Sequence, residues 1–444
     1  MTKPQKIAYS FGAIATALSY QAFSTYIIFF YVDVQRLTAS LAAVAMLIYA
    51  FWNAINDPIA GFISDRTRTK FGRRIPYIMF FAIPFGIIYF FLWATPSGMQ
   101  QISLFIYFLV FICLFDGLYS IVVLNWAALY PEMFPKLEER TEVNSYRQAF
   151  GMIGLMIGIA LPPMIYGTFG WKTMGLIFGI LIAVAYLVSL LGSKEKREFM
   201  QDKALGLKDA ILNTFKNRSF LTFVISNLFI QYAFTMVLAM IPFYAKYVLK
   251  IRSIEMTLML MATFVVAFFM MFIWRAVANR FGARNSYLIA ILYFAVSLLP
   301  FIFFKNYAVN IMICGSLGVG LAGIILISDV IISDVIDADE LKTNTRREGM
   351  YFGVNAFVTR FAIALEALSI GVVFNLTGYN PYIFTQTRSF LTGIKILMAI
   401  FPAIAFIIAL GIMIMYPLHG KVLDELRRNL DALHVKKSKR LAGS

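Results

Sequence analysis

The sequence predicts an all-α polytopic membrane protein with 12 transmembrane helices, and three observations carry that prediction. Of its 444 residues 60% are hydrophobic and 14% charged, with a mean hydropathy of +0.77, a balance that would leave a soluble domain without a polar skin. Apolar runs of about 20 residues recur along the chain, each long enough to cross a bilayer. The runs are continuous instead of alternating with period two. That excludes a β-barrel and leaves helices to satisfy the backbone polar groups in lipid.

The first run, residues 7 to 31, follows Lys3 and Lys6 and carries no small-residue cleavage site, so it reads as an uncleaved first span. Further runs fall at 41–64, 75–95, 102–130, 143–166, 174–193, 219–245, 254–274, 286–304, 308–335, 349–375 and 390–417. The longest polar connection, Gly192 to Arg218, divides them six and six. The expected organisation is an N-terminal six-helix bundle (1–193), a cytoplasmic central loop (194–218), a C-terminal six-helix bundle (219–417) and a basic cytoplasmic tail (418–444).

With the N-terminus inside, 29 of the 39 Lys and Arg fall on the cytoplasmic side and seven on the other. The net charge of +16 is therefore a topology signal and not a nucleic-acid address, and it places both termini in the cytoplasm of a cell-membrane protein. Lys436, Lys437, Lys439 and Arg440 are expected on anionic lipid. Cys113 and Cys314 lie inside apolar runs as small hydrophobes, implying neither disulfide nor metal site. His419 and His434 stand at the cytoplasmic end, so any proton crossing the bundle must ride on a carboxylate.

The most informative polar cluster is Asn53-Ala54-Ile55-Asn56-Asp57-Pro58 in the second run. On a helix Asn53, Asn56 and Asp57 share one face, and Pro58 frees the carbonyl of Ala54 from its usual partner. A charge at membrane depth normally pairs, binds an ion or lines a cavity. One carboxylate beside amide and carbonyl oxygens suits Na⁺, or a proton carried by Asp57 itself. A plain polar contact between helices accounts for the asparagines but not for the aspartate.

The loop that follows, with Gly61, Asp65, Arg66, Gly72, Arg73 and Arg74, resembles the signature loop of the major facilitator superfamily, and a two-bundle transporter follows from that resemblance. Phe281-Gly282-Ala283-Arg284 echoes Phe71-Gly72-Arg73-Arg74 at a displacement of 210 residues, at the corresponding place in the second half. A basic loop can serve topology alone; the sharper reading is a gate latch in which Asp65 caps or pairs with arginines. Asp337, Asp339 and Glu340 open the loop after span ten and Arg346 and Arg347 close it; with Asp334 at the end of that span, they read as its counterpart.

Asn53 to Pro58, Ser64-Asp65-Arg66-Thr67 with Gly72-Arg73-Arg74-Ile75-Pro76, and Asp334 to Glu340 leading to Arg346-Arg347-Glu348-Gly349 together resemble the glycoside-pentoside-hexuronide:cation symporters, the group that includes melibiose permease. The resemblance runs from Tyr9 to the end of span twelve. It implies Na⁺-, Li⁺- or H⁺-coupled sugar uptake, with cation ligands at Asn53, Asn56, Asp57 and Ser120. Melibiose permease has an aspartate where this chain has Asn53, a departure that weakens a Na⁺ site and strengthens the proton as competitor. The family's sugar-gripping carboxylates fall on Ala17 and Val123, so both are gone.

Asp116 on span four is then open to two readings, a substitute grip on substrate or a partner for Arg147. Tyr20 and Gln21 on span one, with Tyr119, Asn125 and Trp126 on span four, offer aromatic faces and amide edges for a sugar, although most of the 44 Phe and 23 Tyr must serve packing. Arg147 and Arg360 complete the substrate-side candidates; an Arg360 facing the cavity without an acid would point to an anionic sugar.

The expected function is cation-coupled symport of a sugar or glycoside by alternating access, by a monomer with no cofactor beyond Na⁺ or H⁺. A lysolipid or other amphiphilic or anionic solute is the alternative cargo, and a non-transporting sensor or scaffold the second alternative. No Walker loop, nucleophile elbow or His-Cys metal set suggests an enzyme.

Overall fold

The computed structural model describes residues 1–67, 69–134, 137–195, 217–343, 348–383, 385–426, 428–430 and 432. Among these, helices are the regular structure throughout, and eleven are long and apolar enough to cross a membrane, or twelve with one bent pair taken as a single span. In order, the spans are Lys3–Val34, Ala39–Gly61, Ile75–Trp93, Gln101–Tyr130, the pair Glu142–Ala160 with Pro162–Phe169, Trp171–Leu191, Arg218–Leu249, Ser253–Phe281, Ala283–Phe303, Tyr307–Lys342, Arg360–Thr377 and Arg388–Ile414.

The bend in span five, 41°, falls where Pro162 and Pro163 interrupt the i to i−4 ladder by removing donors and crowding the preceding turn. Helices also outrun their apolar runs. The second continues to Arg66 and the tenth to Thr343, so Asp337, Asp339 and Glu340 stand with Asp334 on the last turns of a helix and do not open a loop. Hydropathy marks the lipid-embedded stretch, whereas the backbone ladder extends into the wet zone wherever no breaker intervenes.

The chain clusters into two compact units. The first contains Met1–Ala204, Leu238–Met261 and Glu366–Gly393; the second contains Leu205–Val237, Ala262–Leu365 and Ile394–Ser444. This division differs from the six-and-six division by sequence, because one end each of spans seven, eight, eleven and twelve clusters with the first half.

Close helix approach within the first unit is made by small residues, as lipid supplies no hydrophobic drive between helices. Gly154 and Gly158 of span five lie against the carbonyls of Ile14 and Leu18, and Gly86 of span three against the carbonyl of Gly179 on span six. A methyl group at these places would meet backbone oxygen. Between these helices Trp93 stacks on Trp171 at 5.5 Å and Trp171 on Tyr166 at 3.9 Å. In the second unit, Trp274 donates Nε1 to the Val319 carbonyl at 2.7 Å, and Ser226 donates to the carbonyl of Ala409 at 3.0 Å.

Candidate functional site

Span two presents Asn53, Asn56 and Asp57 on one face, and span four answers with Asp116 and Ser120, which four-residue spacing also puts on one face. Asn53 Nδ2 donates to Asp116 Oδ1 and Asn56 Nδ2 to Asp116 Oδ2, while Tyr49 donates its hydroxyl to Oδ1 at 3.3 Å. The Ser120 hydroxyl contacts Asn56 Oδ1 at 2.7 Å and also Asp57 Oδ1. Asn53, Asn56, Asp116 and Ser120 are buried at 5% exposure or less, and Asp57 is half-buried. Five polar side chains in an apolar setting thus gather into one connected oxygen-rich cluster, which lowers the cost of holding each at membrane depth.

The family's four expected cation ligands are therefore neighbours. Asp116 stands with them: its donors include Asn53 and Asn56, and it is absent from the cavity lining described below, so neither the substrate-grip reading nor the Arg147-pair reading describes its observed contacts. Its spacing from Ser120 was the available signal.

A cavity of about 310 Å³ lies in the same unit, between spans one, four and five. Tyr20, Gln21, Tyr119, Trp126 and Arg147 line it, as do Thr16, Asn144 and Gln148, three polar residues that the sequence reading did not single out. Ala17, where the family carries a carboxylate, is part of the wall. The Arg147 guanidinium lies over Trp126 at 4.7 Å and Tyr130 at 4.3 Å, and its buried Nε has no hydrogen-bond partner among the described residues. Trp126 is fixed by reciprocal bonds with span one: its Nε1 donates to the Tyr9 carbonyl at 3.1 Å, and the Tyr9 hydroxyl donates to the Trp126 carbonyl at 2.8 Å. Gly12 leaves the room the indole occupies.

Asn125, like Asp116, is not among the lining residues; it is buried and donates Nδ2 to the Ile121 carbonyl at 2.7 Å. Arg360 is a half-buried residue of the second unit.

At the expected gate, the Asp65 side chain and residues Arg346 and Arg347 lie outside the described residues, and Arg66 is exposed. The Gly72 turn receives an acid from another helix end, Glu195. Its carboxylate accepts the backbone N–H groups of Arg73 at 2.6 Å, Arg74 at 2.5 Å and Ile75 at 2.8 Å. These are the unfilled donors at the start of span three, where an anion is favoured. The loop is thus clamped through its backbone. Asp334 and Glu340 are buried and Asp337 half-buried, all in the second unit; Lys436, Lys437, Lys439, Arg440 and His434 lie outside the described residues.

The sequence reading also passed over Asp33. Its carboxylate, fully buried at the end of span one, pairs with Lys246 Nζ at 2.5 Å and accepts the hydroxyls of Tyr247 and, at 2.7 Å, Tyr379. Asp33 lies just past the first apolar run, and the helix that holds that run extends to include it.

The sequence profile of the family described as MFS/sugar transport protein matches residues 8–420. The chain is similar to the isoprimeverose transporter of Lactiplantibacillus pentosus, 24% identical with 84% of this chain and 80% of the relative covered. It is also similar to sodium-dependent lysophosphatidylcholine symporter 1 of Mus musculus, 25% identical over 96% of this chain and 88% of the relative. Its fold is similar to that of a D-xylose-proton symporter, with a TM-score of 0.64 at 14% identity, covering 90% of this chain and 96% of that one. The chain belongs to the MFS/sugar transport family, within the glycoside-pentoside-hexuronide:cation symporters of the major facilitator superfamily, and is a transporter and not an enzyme.

Proposed function

We propose that this protein carries a sugar or glycoside across the cell membrane by symport with a monovalent cation, Na⁺ or H⁺, both termini lying in the cytoplasm. The cation seat is the oxygen cluster of Asn53, Asn56, Asp57 and Ser120, and the 310 Å³ cavity is the substrate seat. That volume sits at the lower end of the range of about 300–1,000 Å³ for small-molecule pockets.

One observation supports coupling above the others. Tyr119 lines the cavity and Ser120, its neighbour in the chain, touches Asn56 and Asp57. Filling the cation seat fixes Ser120 and with it the adjoining turn of span four, which forms part of the substrate wall. A ligand bound in one seat then changes the ordering cost of the other, and the coupling is reciprocal. In the cavity, Tyr20 and Tyr119 offer ring faces, Gln21, Asn144 and Gln148 offer amide edges, and Arg147 is the charged lining residue. A cation in the wall, with alanine at position 17, favours a glycoside that carries an acidic group, which the guanidinium can grip by charge-assisted hydrogen bonds.

The test is Asp57→Asn in sealed vesicles supplied with a panel of labelled neutral and acidic glycosides and a lysolipid. Accumulation driven by a Na⁺ or pH jump should vanish while substrate exchange persists. Undiminished accumulation by the variant removes the cation seat from Asp57, and uptake confined to the lysolipid replaces the glycoside assignment.

A further inference from the structure

We propose that Asp116 is a positioning residue of the cation seat, which holds the side-chain amides of Asn53 and Asn56 with their nitrogens toward itself and so keeps amide oxygen available to the cation. The inference rests on the cation reading of Asp57.

An amide can present either its oxygen or its NH₂ group to a given point in space, and only the oxygen binds a cation. Rotation of the terminal torsion interchanges them, so an amide ligand is useful only where its surroundings forbid the flipped form. Asp116 supplies that condition. Each of its carboxylate oxygens takes the Nδ2 of a different asparagine, Oδ1 from Asn53 and Oδ2 from Asn56. Flipping either amide would press a carbonyl oxygen against an anionic oxygen in a site that is 2% exposed at Asp116.

With its nitrogen so engaged, Asn56 turns Oδ1 to Ser120, whose hydroxyl also reaches Asp57 Oδ1. Asn56 Oδ1 and Asp57 Oδ1 are therefore close enough to share one hydroxyl, the arrangement needed to share one cation. Donors on both Asp116 oxygens, with the Tyr49 hydroxyl as a third at 3.3 Å, solvate the carboxylate as an anion. A second negative charge then stands behind the amides, although position 53 itself is neutral. The device is the oxygen-ligand counterpart of a carboxylate that orients a metal-bound histidine from behind.

A merely structural Asp116 would satisfy two buried amides and affect folding alone. Separating the two roles requires a cation titration. The purified full chain is titrated with NaCl at fixed pH, and with acid in Na⁺-free buffer, following tryptophan emission and the thermal unfolding midpoint. Asp116→Asn should shift the half-saturating concentration of the responding cation upward by roughly 10–100-fold, the usual effect of removing an outer partner of a ligand.

The double variant Asn53→Asp with Asp116→Asn keeps the number of carboxylates and reverses one hydrogen bond. The amide introduced on span four would donate to the new carboxylate on span two and still accept from Asn56. This variant should recover most of the lost affinity, and it carries the test should the single variant fail to fold. A folded Asp116→Asn protein that titrates like the parent, or a double variant impaired to the same degree as a folded single one, overturns the positioning role. The cation reading fails separately, if Asp57→Asn titrates like the parent.

Discussion

Two loops that echo each other in sequence join their helices differently: the first spans the residues between Arg66 and Ile75, the second is Gly282 alone between Phe281 and Ala283. Phe71-Gly72-Arg73-Arg74 and Phe281-Gly282-Ala283-Arg284 both turn on a glycine of positive φ, +111° at Gly72 and +78° at Gly282, directly after an exposed phenylalanine. At Gly72 an added Cβ would run into the carboxylate of Glu195, while at Gly282 it would meet open space. The common feature is thus a backbone conformation that reverses the chain between two helices, which glycine reaches without steric cost. The acid clamp is found, among the described residues, at the first loop. The two loops share a glycine of positive φ, whereas the acid that fastens the turn is found, among the described residues, at the first.

Three substitutions bear on that contrast, in falling order of effect. Gly72→Ala forces a side chain into a strained backbone region at about 1–3 kcal/mol and displaces Glu195 from three N–H groups. The unfolding midpoint of the detergent-solubilised protein should fall furthest for this variant. Gly282→Ala meets the backbone cost alone, about 1–3 kcal/mol, and should fall less; an equal loss at the two glycines would show that the clamp adds nothing.

Glu195→Gln separates the clamp from the glycine. Its remaining oxygen can still accept from Arg74 and Ile75, but the Arg73 N–H loses its acceptor and span three loses the anion at its N-terminus. A loss of about 1 kcal/mol is expected. Initial uptake rates measured on the same variant would show whether the clamp also governs turnover. A change in rate at unchanged stability would make it part of the gate.

The buried acids repeat the lesson at membrane depth. Asp33 is neutralised by a lysine and two phenols, whereas the donors found on Asp116 are amides and a phenol. An ion-paired acid fastens helices together. The amides on Asp116 are those of the candidate cation seat, so this acid bears on a neighbouring site.

Much of this was legible from residue order. Long apolar runs specify spans because lipid offers the backbone no alternative partner, and Asn53, Asn56 and Asp57 share a face because helical geometry places i, i+3 and i+4 together. Asp116 was open to a substrate or an Arg147 reading, and the amides that donate to it belong to the facing helix, which spacing along its own helix does not display. Asn125 donates Nδ2 to the carbonyl of its own preceding turn while its buried Oδ1 has no hydrogen-bond partner among the described residues, and nothing in its position along the chain displays either fact. Glu195 escaped notice because its partners are backbone N–H groups, which every sequence has and none displays.

Residue order by itself determined the class of protein, the spans and the family, since these follow from periodicity, composition and local spacing. Tertiary structure alone decided which polar groups meet: Asp116 with the amides of span two, Glu195 with the start of span three, Asp33 with Lys246. The reason is physical. Hydrogen bonds and ion pairs act over a few ångströms, and helices distant in sequence come within that reach only when their small residues let them pack.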